Sequence, residues 1–132
     1  MAVSEVQISQ LLQAATKARE AAYVPYSGFG VGAAIIVGSG AIFTGCNVEN
    51  ASYGLTVCAE RVAISKAVSE GERDIVAVGI VAPGESPAVP CGACLQVMSE
   101  FGGPEMIVVC ATPDGEHQEY RLGELLPKPF EL

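Results

Sequence analysis

The sequence predicts an α/β protein, a three-layer α/β/α sandwich around a mixed five-stranded sheet. Two runs, Ile75–Ala82 and Met106–Ala111, are apolar throughout, as in strands that are buried on both faces. Segments with helical spacing precede and separate these strands, and a sheet buried on both faces needs helices on both sides. With 132 residues, 50% of them hydrophobic, we expect one domain, residues 1–132, around one core.

The first part of the chain predicts a helix followed by a β-hairpin. Between Ser4 and Ala22, apolar residues recur at helical spacing, and Pro25 marks the loop that follows. Two strands, Val31–Val37 and Ala41–Val48, are expected on either side of a Gly-Ser-Gly turn.

The rest of the chain alternates helices with the two apolar strands. A polar loop is expected over Glu49–Thr56, and helices over Cys58–Glu70 and Cys91–Phe101. After the last apolar strand, the pattern predicts a weak edge strand, Gln118–Leu122, and one helical turn, Gly123–Leu126.

Charge and composition argue against several kinds of partner. The chain has 7 Lys+Arg against 15 Asp+Glu, a net charge of −8, whereas nucleic acids and anionic membrane surfaces are bound by basic residues. No stretch approaches the ~18 apolar residues that span a bilayer, and the N-terminal residues do not have the pattern of a signal peptide. Five cysteines, an odd number, favour a reducing setting over a disulfide scaffold. We therefore expect a cytoplasmic protein that binds neither nucleic acid nor membrane.

Three of the cysteines predict a metal site. Cys91 and Cys94 form a Cys-x-x-Cys pair after Pro90, and Cys58 begins the preceding helix. The partial positive charge of a helix N-terminus favours thiolate over thiol. Three thiolates leave a tetrahedral Zn²⁺ with one open position, which is typical of a catalytic site.

The other two cysteines leave an alternative open. Cys46 and Cys110 are predicted inside strands, where a cysteine is usually a small buried apolar residue. If either supplied a fourth thiolate, the site would be structural and the protein an interaction scaffold. A thioredoxin-like redox motif is disfavoured, because the aromatic-Cys-Gly-Pro-Cys pattern is absent.

Glu60 and Arg61 follow Cys58 closely and bear on the chemistry. A carboxylate two residues from a metal ligand can reach the water on the metal and take its proton. The alternative is an exposed glutamate that only complements the helix dipole. The Arg61 guanidinium can offset the negative charge of the thiolates by hydrogen bonding, or it can lie on the helix surface.

These residues resemble the small, homotetrameric cytidine deaminases. The zinc deaminases share a short motif of a ligand, any residue and Glu, followed by Pro-Cys-x-x-Cys. Cys58-Ala59-Glu60 and Pro90-Cys91-Gly92-Ala93-Cys94 match it, in the form with three cysteines. The resemblance covers essentially the whole chain, and its further segments are Tyr26–Ala34, Thr44–Leu55, Leu125–Pro127 and Phe130.

The resemblance implies an enzyme that hydrolyses cytidine and 2′-deoxycytidine to the uridines and ammonia, a reaction of pyrimidine salvage. It implies that Cys58, Cys91 and Cys94 hold one Zn²⁺ per subunit, that Glu60 is the catalytic proton carrier and that Arg61 lies behind the thiolates.

The resemblance also implies how the nucleoside is bound. Asn47 and Glu49 would bind the ribose 3′-hydroxyl, Phe29 would pack against the pyrimidine, and the backbone N–H of Ala59 would contact the base carbonyl. A buried acid paired with an amide rejects compounds that lack the sugar hydroxyl, because its polar groups would then be unpaired.

The implied assembly is a homotetramer in which subunits share their sites. In relatives, the segment that corresponds to Ala51–Tyr53 reaches a neighbouring subunit's site, and so does a C-terminal aromatic residue, here Phe130. Ala51, Tyr53 and Phe130 are therefore expected to contact substrate across a subunit boundary.

The chain departs from the family pattern at a few positions. Leu95 stands where many relatives have Arg, and Gly28 and Gly30 flank the predicted base-stacking phenylalanine. The alternative substrate is another cytosine compound, such as the nucleoside antibiotic blasticidin S. The presence of both Asn47 and Glu49 favours the ordinary nucleosides.

Overall fold

A computed structural model describes residues 3–132. The strands, in chain order, are β1 (Gly32–Val37), β2 (Ile42–Cys46), β3 (Ile75–Val81), β4 (Ile107–Ala111) and β5 (His117–Arg121). The helices are α1 (Glu5–Arg19), α2 (Ala59–Ser69), α3 (Gly92–Phe101) and the short α4 (Leu122–Leu125). Within residues 3–132, no helix combines the length and the apolar character needed to cross a membrane.

The five strands form one mixed sheet with helices on both faces. The strand order is β2-β1-β3-β4-β5, with β3 and β4 parallel and the other neighbours antiparallel. α1 packs on one face through Leu11 and Ala15, and α2 and α3 pack on the other around Ile64, Met98 and the main core. The predicted three-layer α/β/α sandwich with a mixed five-stranded sheet is confirmed.

The strand register brings three connecting segments to one end of the sheet. Gly32, at the start of β1, pairs with Cys46 at the end of β2 and with Val81 at the end of β3. The segments that meet at this end are residues 24–31, 47–58 and 82–91. This end of the sheet therefore carries the predicted site.

The predicted opening helix, Ser4 to Ala22, is shorter at its C-terminus. Ser4 caps it through a reciprocal pair of hydrogen bonds with Gln7, a capping box that fixes the first turn. After Arg19, the backbone N–H groups of residues 20–22 bond to carbonyls three residues back, so the helix tightens and ends.

The predicted strand Ala41–Val48 also ends early, at Cys46. Val48 exchanges two backbone hydrogen bonds with Val57 and thus leaves the ladder with β1. The predicted loop that follows contains a 3-10 turn, Tyr53–Leu55. The remaining predicted elements are present, with both ends within one residue of the prediction.

A glycine in β2 allows α2 to approach the sheet closely. A Cβ atom on Gly45 would lie 2.6 Å from the backbone oxygen of Ala59 and 2.6 Å from the backbone nitrogen of Ala63. Both contacts are with helix backbone, which cannot rotate away. The position of the first turn of α2 therefore depends on this glycine.

Gly45→Ala is expected to destabilise the protein by about 1–3 kcal/mol, because the methyl group forces α2 away from β2. Thermal and urea unfolding measure the effect. Gly103→Ala is the matched control, since a Cβ atom there meets nothing within 4 Å. Equal stabilities of the two variants would contradict this account of the packing.

Candidate metal centre and active site

The three predicted metal ligands lie at two helix N-termini. Cys58 and Cys91 are the N-cap residues of α2 and α3, both with extended backbone, and Cys94 lies in the first turn of α3. Neither N-cap sulfur makes a capping hydrogen bond to the backbone of its own helix, so both sulfur atoms can turn toward each other. The free N–H groups and partial positive charge of both helix ends stabilise thiolate there.

The three sulfur atoms are spaced to hold a tetrahedral ion. The Sγ atoms of Cys58 and Cys91 are 4.0 Å apart, those of Cys91 and Cys94 are 3.5 Å apart, and all three lie within 4.8 Å of one another. Thiolates bound to one zinc ion at tetrahedral angles lie about 3.8 Å apart. Soft thiolate ligands in this number suit zinc, so the residues fit the ion that the sequence predicts.

Charge in the cluster is concentrated on Cys58. Hydrogen bonding from Cys94 and Arg61, together with the positive charge of Arg61, lowers the pKa of the Cys58 thiol to about 5. The Arg61 Nη2 donates to the Cys58 Sγ at 3.3 Å. The same pairing with Cys58, together with burial, raises the pKa of the Cys94 thiol. The Cys58 thiolate is thus favoured before any metal binds, and Arg61 is its hydrogen-bond donor.

Glu60 is buried beside the cluster. Its side chain is 5% exposed, and burial raises the pKa of its carboxyl group above the ordinary value. The exposed glutamate that would only complement the helix dipole is therefore not what the structure shows. A buried carboxyl group with a raised pKa is suited to accept and release protons near neutral pH.

The cluster opens into a cavity of about 190 Å³. Phe29 and Asn47 line one side of it, and Glu60 lies in the wall next to Cys58 and Cys91. The cavity therefore joins two of the predicted ligands, the predicted proton carrier and two of the predicted substrate contacts.

A second cavity, of about 180 Å³, adjoins the first through Thr56, which lines both. Glu49 and Tyr53 line this second cavity together with Ser27. Glu49 thus lies one cavity away from the cluster.

Asn47 and Glu49 have a role that the sequence does not reveal, because they hold the loop that carries Phe29. Asn47 accepts a hydrogen bond from the Val31 N–H and donates one to the Phe29 carbonyl. Glu49 accepts hydrogen bonds from the N–H groups of residues 26 and 27 and from the Ser27 hydroxyl, and these bonds lower the pKa of its carboxyl group.

The residues expected to act across a subunit boundary lie on the surface of this subunit. Ala51, Tyr53 and the ring of Phe130 are all exposed, and Tyr53 is 80% exposed. The backbone of Phe130 is bonded to the side chain of Gln96 on α3. Ala59 is the first residue of α2, where its N–H has no partner within the helix.

The two remaining cysteines stand apart from the cluster. Cys110 is fully buried in the main core, and burial raises the pKa of its thiol to about 12. Cys46 is half-buried and ends β2 instead of lying inside it. Among residues 3–132, the group of potential ligands contains three thiols, so a fourth thiolate for a structural site is not at hand.

Sequence reasoning missed Ser27, Thr56 and Gln96. Ser27 bonds to the Glu49 carboxylate and to the Phe29 N–H, Thr56 borders both cavities, and Gln96 holds the C-terminal segment. All are polar residues in or near segments of the resemblance, but polarity alone does not indicate which distant partner each one contacts.

A sequence model of the family described as the cytidine and deoxycytidylate deaminase zinc-binding region matches residues 5–110. The chain belongs to this family. The matched region contains all three clustered cysteines and Glu60. Zinc is therefore the metal of this site.

Individual relatives support the same assignment. The chain is 52% identical to the cytidine deaminase of Halalkalibacterium halodurans over 91% of both chains, and 46% identical to that of Sporosarcina psychrophila over 95% of this chain and 92% of the relative. The crystal structure of cytidine deaminase from Burkholderia pseudomallei matches with a TM-score of 0.90 and 45% identity, over 97% of this chain and 100% of that one.

Replacement of Cys58, Cys91 or Cys94 by Ala is expected to remove bound zinc, because two thiolates cannot hold it firmly. Elemental analysis of the purified protein measures the metal content. Cys46→Ala is the matched control and should keep about one zinc per chain. Loss of zinc from the control variant, or its retention in all three others, would contradict the assigned ligands.

Proposed function

We propose that this chain is a zinc-dependent cytidine deaminase, a hydrolase that converts cytidine and 2′-deoxycytidine to uridine and 2′-deoxyuridine with release of ammonia. One observation carries the proposal: the buried carboxyl group of Glu60 lies in the wall of a single cavity together with Cys58 and Cys91, two of the three clustered thiols. In our proposal residues 1–132 form one catalytic domain with one Zn²⁺ per subunit.

The two adjoining cavities favour a nucleoside over a nucleotide. The cavity next to the cluster would take the base, with Phe29 against its ring, and the second would take the sugar beside Glu49. No described residue that lines either cavity is basic, and Glu49 is acidic. A 5′-phosphate would therefore meet negative charge without a cation to compensate it.

Asn47 and Glu49 would bind the sugar through the hydrogen-bonding capacity that their loop contacts leave free. Each carboxylate oxygen has more than one acceptor site, and an amide nitrogen has two donors. Because Asn47 already donates to the Phe29 carbonyl, one side chain would position the base-stacking loop and contact the 3′-hydroxyl. Binding of the sugar and of the base would thus be coupled.

Cys58, Cys91 and Cys94 would hold the zinc ion, which would supply a water whose pKa is lowered to about 7. Glu60 takes the first proton of this water and delivers it to N3 of the pyrimidine, which makes C4 electrophilic. After the water oxygen has bonded to C4, Glu60 moves the second proton to the 4-amino group. The bond from C4 to nitrogen then breaks, ammonia leaves, and the product is a uracil with hydrogen on N3.

Arg61 and Ala59 would support this chemistry from either side of Glu60. The Arg61 guanidinium withdraws negative charge from the Cys58 thiolate, so the metal remains an effective Lewis acid. The free N–H of Ala59, at the N-terminus of α2, would donate to the carbonyl oxygen of the base. Because this carbonyl lies on the same edge of the base as N3 and the 4-amino group, the bond would orient that edge toward Glu60.

The assembly that we propose is a homotetramer with sites shared between subunits, working in cytoplasmic pyrimidine salvage. Large apolar side chains that line the two cavities are exposed, namely Tyr26, Phe29, Tyr53 and Val89, and the ring of Phe130 is exposed elsewhere on the surface. Apolar groups clustered in this way at a site are typical of a surface that another subunit covers. Ala51, Tyr53 and Phe130 would then complete a neighbour's site.

Sedimentation equilibrium is expected to give four times the mass of the chain, because these apolar side chains are buried only by association. The same preparation, diluted through the range in which it dissociates, should lose activity together with the tetramer. An active monomer would contradict the sharing of sites.

Glu60→Gln is expected to keep its zinc and to lose turnover of cytidine by about 10²- to 10⁴-fold, because the amide cannot carry a proton. The fall in ultraviolet absorbance on addition of cytidine measures turnover, and cytidine 5′-monophosphate tests the preference for nucleosides. Glu70→Gln, at the exposed end of the same helix, is the matched control and should leave turnover unchanged. Near-normal activity of Glu60→Gln, or no activity of the unmodified zinc protein, would refute the proposed function.

A further inference from the structure

One side chain of α3 holds the backbone of the C-terminal segment. The Gln96 Nε2 donates to the carbonyl oxygen of Phe130 at 3.0 Å, and the Phe130 N–H donates to the Gln96 Oε1 at 3.1 Å. Both backbone polar groups of Phe130 are thus bonded by a single amide, which can make such a paired contact because it carries a donor and an acceptor side by side.

This pair of hydrogen bonds holds a segment that little else fixes. The residues after α4 form no helix or strand, and a hollow of about 560 Å³ separates the segment from α3, bordered by Gln96, Ser99 and Pro129. Where this hollow lies, the segment and α3 are not in close contact. Pro127 and Pro129 limit its backbone freedom, and Gln96 sets where it lies.

The consequence is an aromatic ring that is presented to the outside at a defined place. The Phe130 ring is 72% exposed although its backbone is bonded on both sides. An exposed phenylalanine ring contributes little packing energy to its own subunit. A fixed backbone, however, lowers the entropy cost when the ring enters a pocket of another molecule.

We propose that Gln96 is a positioning residue, which fixes the Phe130 ring so that it can complete the nucleoside site of a second copy of this chain. This inference rests on the proposed function. Gln96 lies two residues after Cys94 on α3, so the ring is placed relative to the same helix that presents two of the metal ligands. One helix, α3, would thereby set both the geometry of its own subunit's metal site and the position of the ring that completes the neighbour's site.

An effect of Gln96 on substrate binding can be distinguished from an effect on the metal site. A residue that acts through a ring contacting bound substrate changes the affinity of the site, and thus KM, more than the chemical step. A residue that merely stabilised α3 would disturb Cys91 and Cys94, and would lower zinc content and kcat instead.

Gln96→Leu tests the proposal, because the leucine side chain is similar in size and makes neither hydrogen bond. We expect KM for cytidine to rise about tenfold, with kcat and zinc content within about twofold of the original values, as for a contact that acts in binding alone. Gln96→Glu keeps the acceptor for the Phe130 N–H but has no donor for its carbonyl, and should give an intermediate KM. Glu100→Gln, which borders the same hollow, is the matched control and should leave KM unchanged.

A double variant and an exchange measurement complete the test. In a Phe130→Ala background, Gln96→Leu should raise KM no further, since the ring through which it acts is gone. Amide hydrogen exchange should show that the Phe130 N–H is protected in the unmodified protein and exposed in Gln96→Leu. An exposed N–H with unchanged KM, additive effects in the double variant, or loss of zinc would overturn the role of Gln96. An unmodified protein that turns over no cytidine would overturn the proposed function as well. The exchange result would still show whether the two hydrogen bonds between Gln96 and Phe130 are present.

Discussion

The site depends on two helix N-termini that are held together although they bring negative groups into contact. Three sulfur atoms lie within 4.8 Å of one another, and the buried carboxyl group of Glu60 lies beside them. Repulsion among these groups is offset by the helix ends, by Arg61 and by the metal. The packing of the sheet makes this possible, because Gly45 lets α2 lie close to β2 while α3 crosses between two parallel strands.

The loop that carries Phe29 is held in place differently from the three clustered cysteines. The ligands of the metal are anchored by helices in the main core, whereas the loop that carries Phe29 is held by polar contacts from Asn47, Glu49 and Ser27. Such contacts are weaker than core packing and exchange readily with water. Asn47 and Glu49 stabilise this loop, and under the proposed function they also bind the sugar, so substitutions there would change both properties at once.

Much of the fold and the centre of the site could be predicted from the sequence because their signals are local. The apolar runs at β3 and β4, and the cysteines at the start of two helices, are visible in short stretches of chain. The predicted C-terminal ends of α1 and β2 were wrong by three and two residues. A tightened last turn ends α1, and hydrogen bonds between Val48 and Val57 end β2. The pairing of Gln96 with Phe130 spans 34 residues, and no local pattern indicates it.

The outer strand β5 differs in character from the rest of the sheet. It lies at one edge, and four of its five residues are exposed, including Glu119 and Arg121. Charged side chains on an edge strand discourage another strand from adding to it, which is how many proteins avoid aggregation through their sheets. The polar side chains of β5 thus disfavour the unlimited addition of strands at this edge of the sheet, which is how fibrils grow.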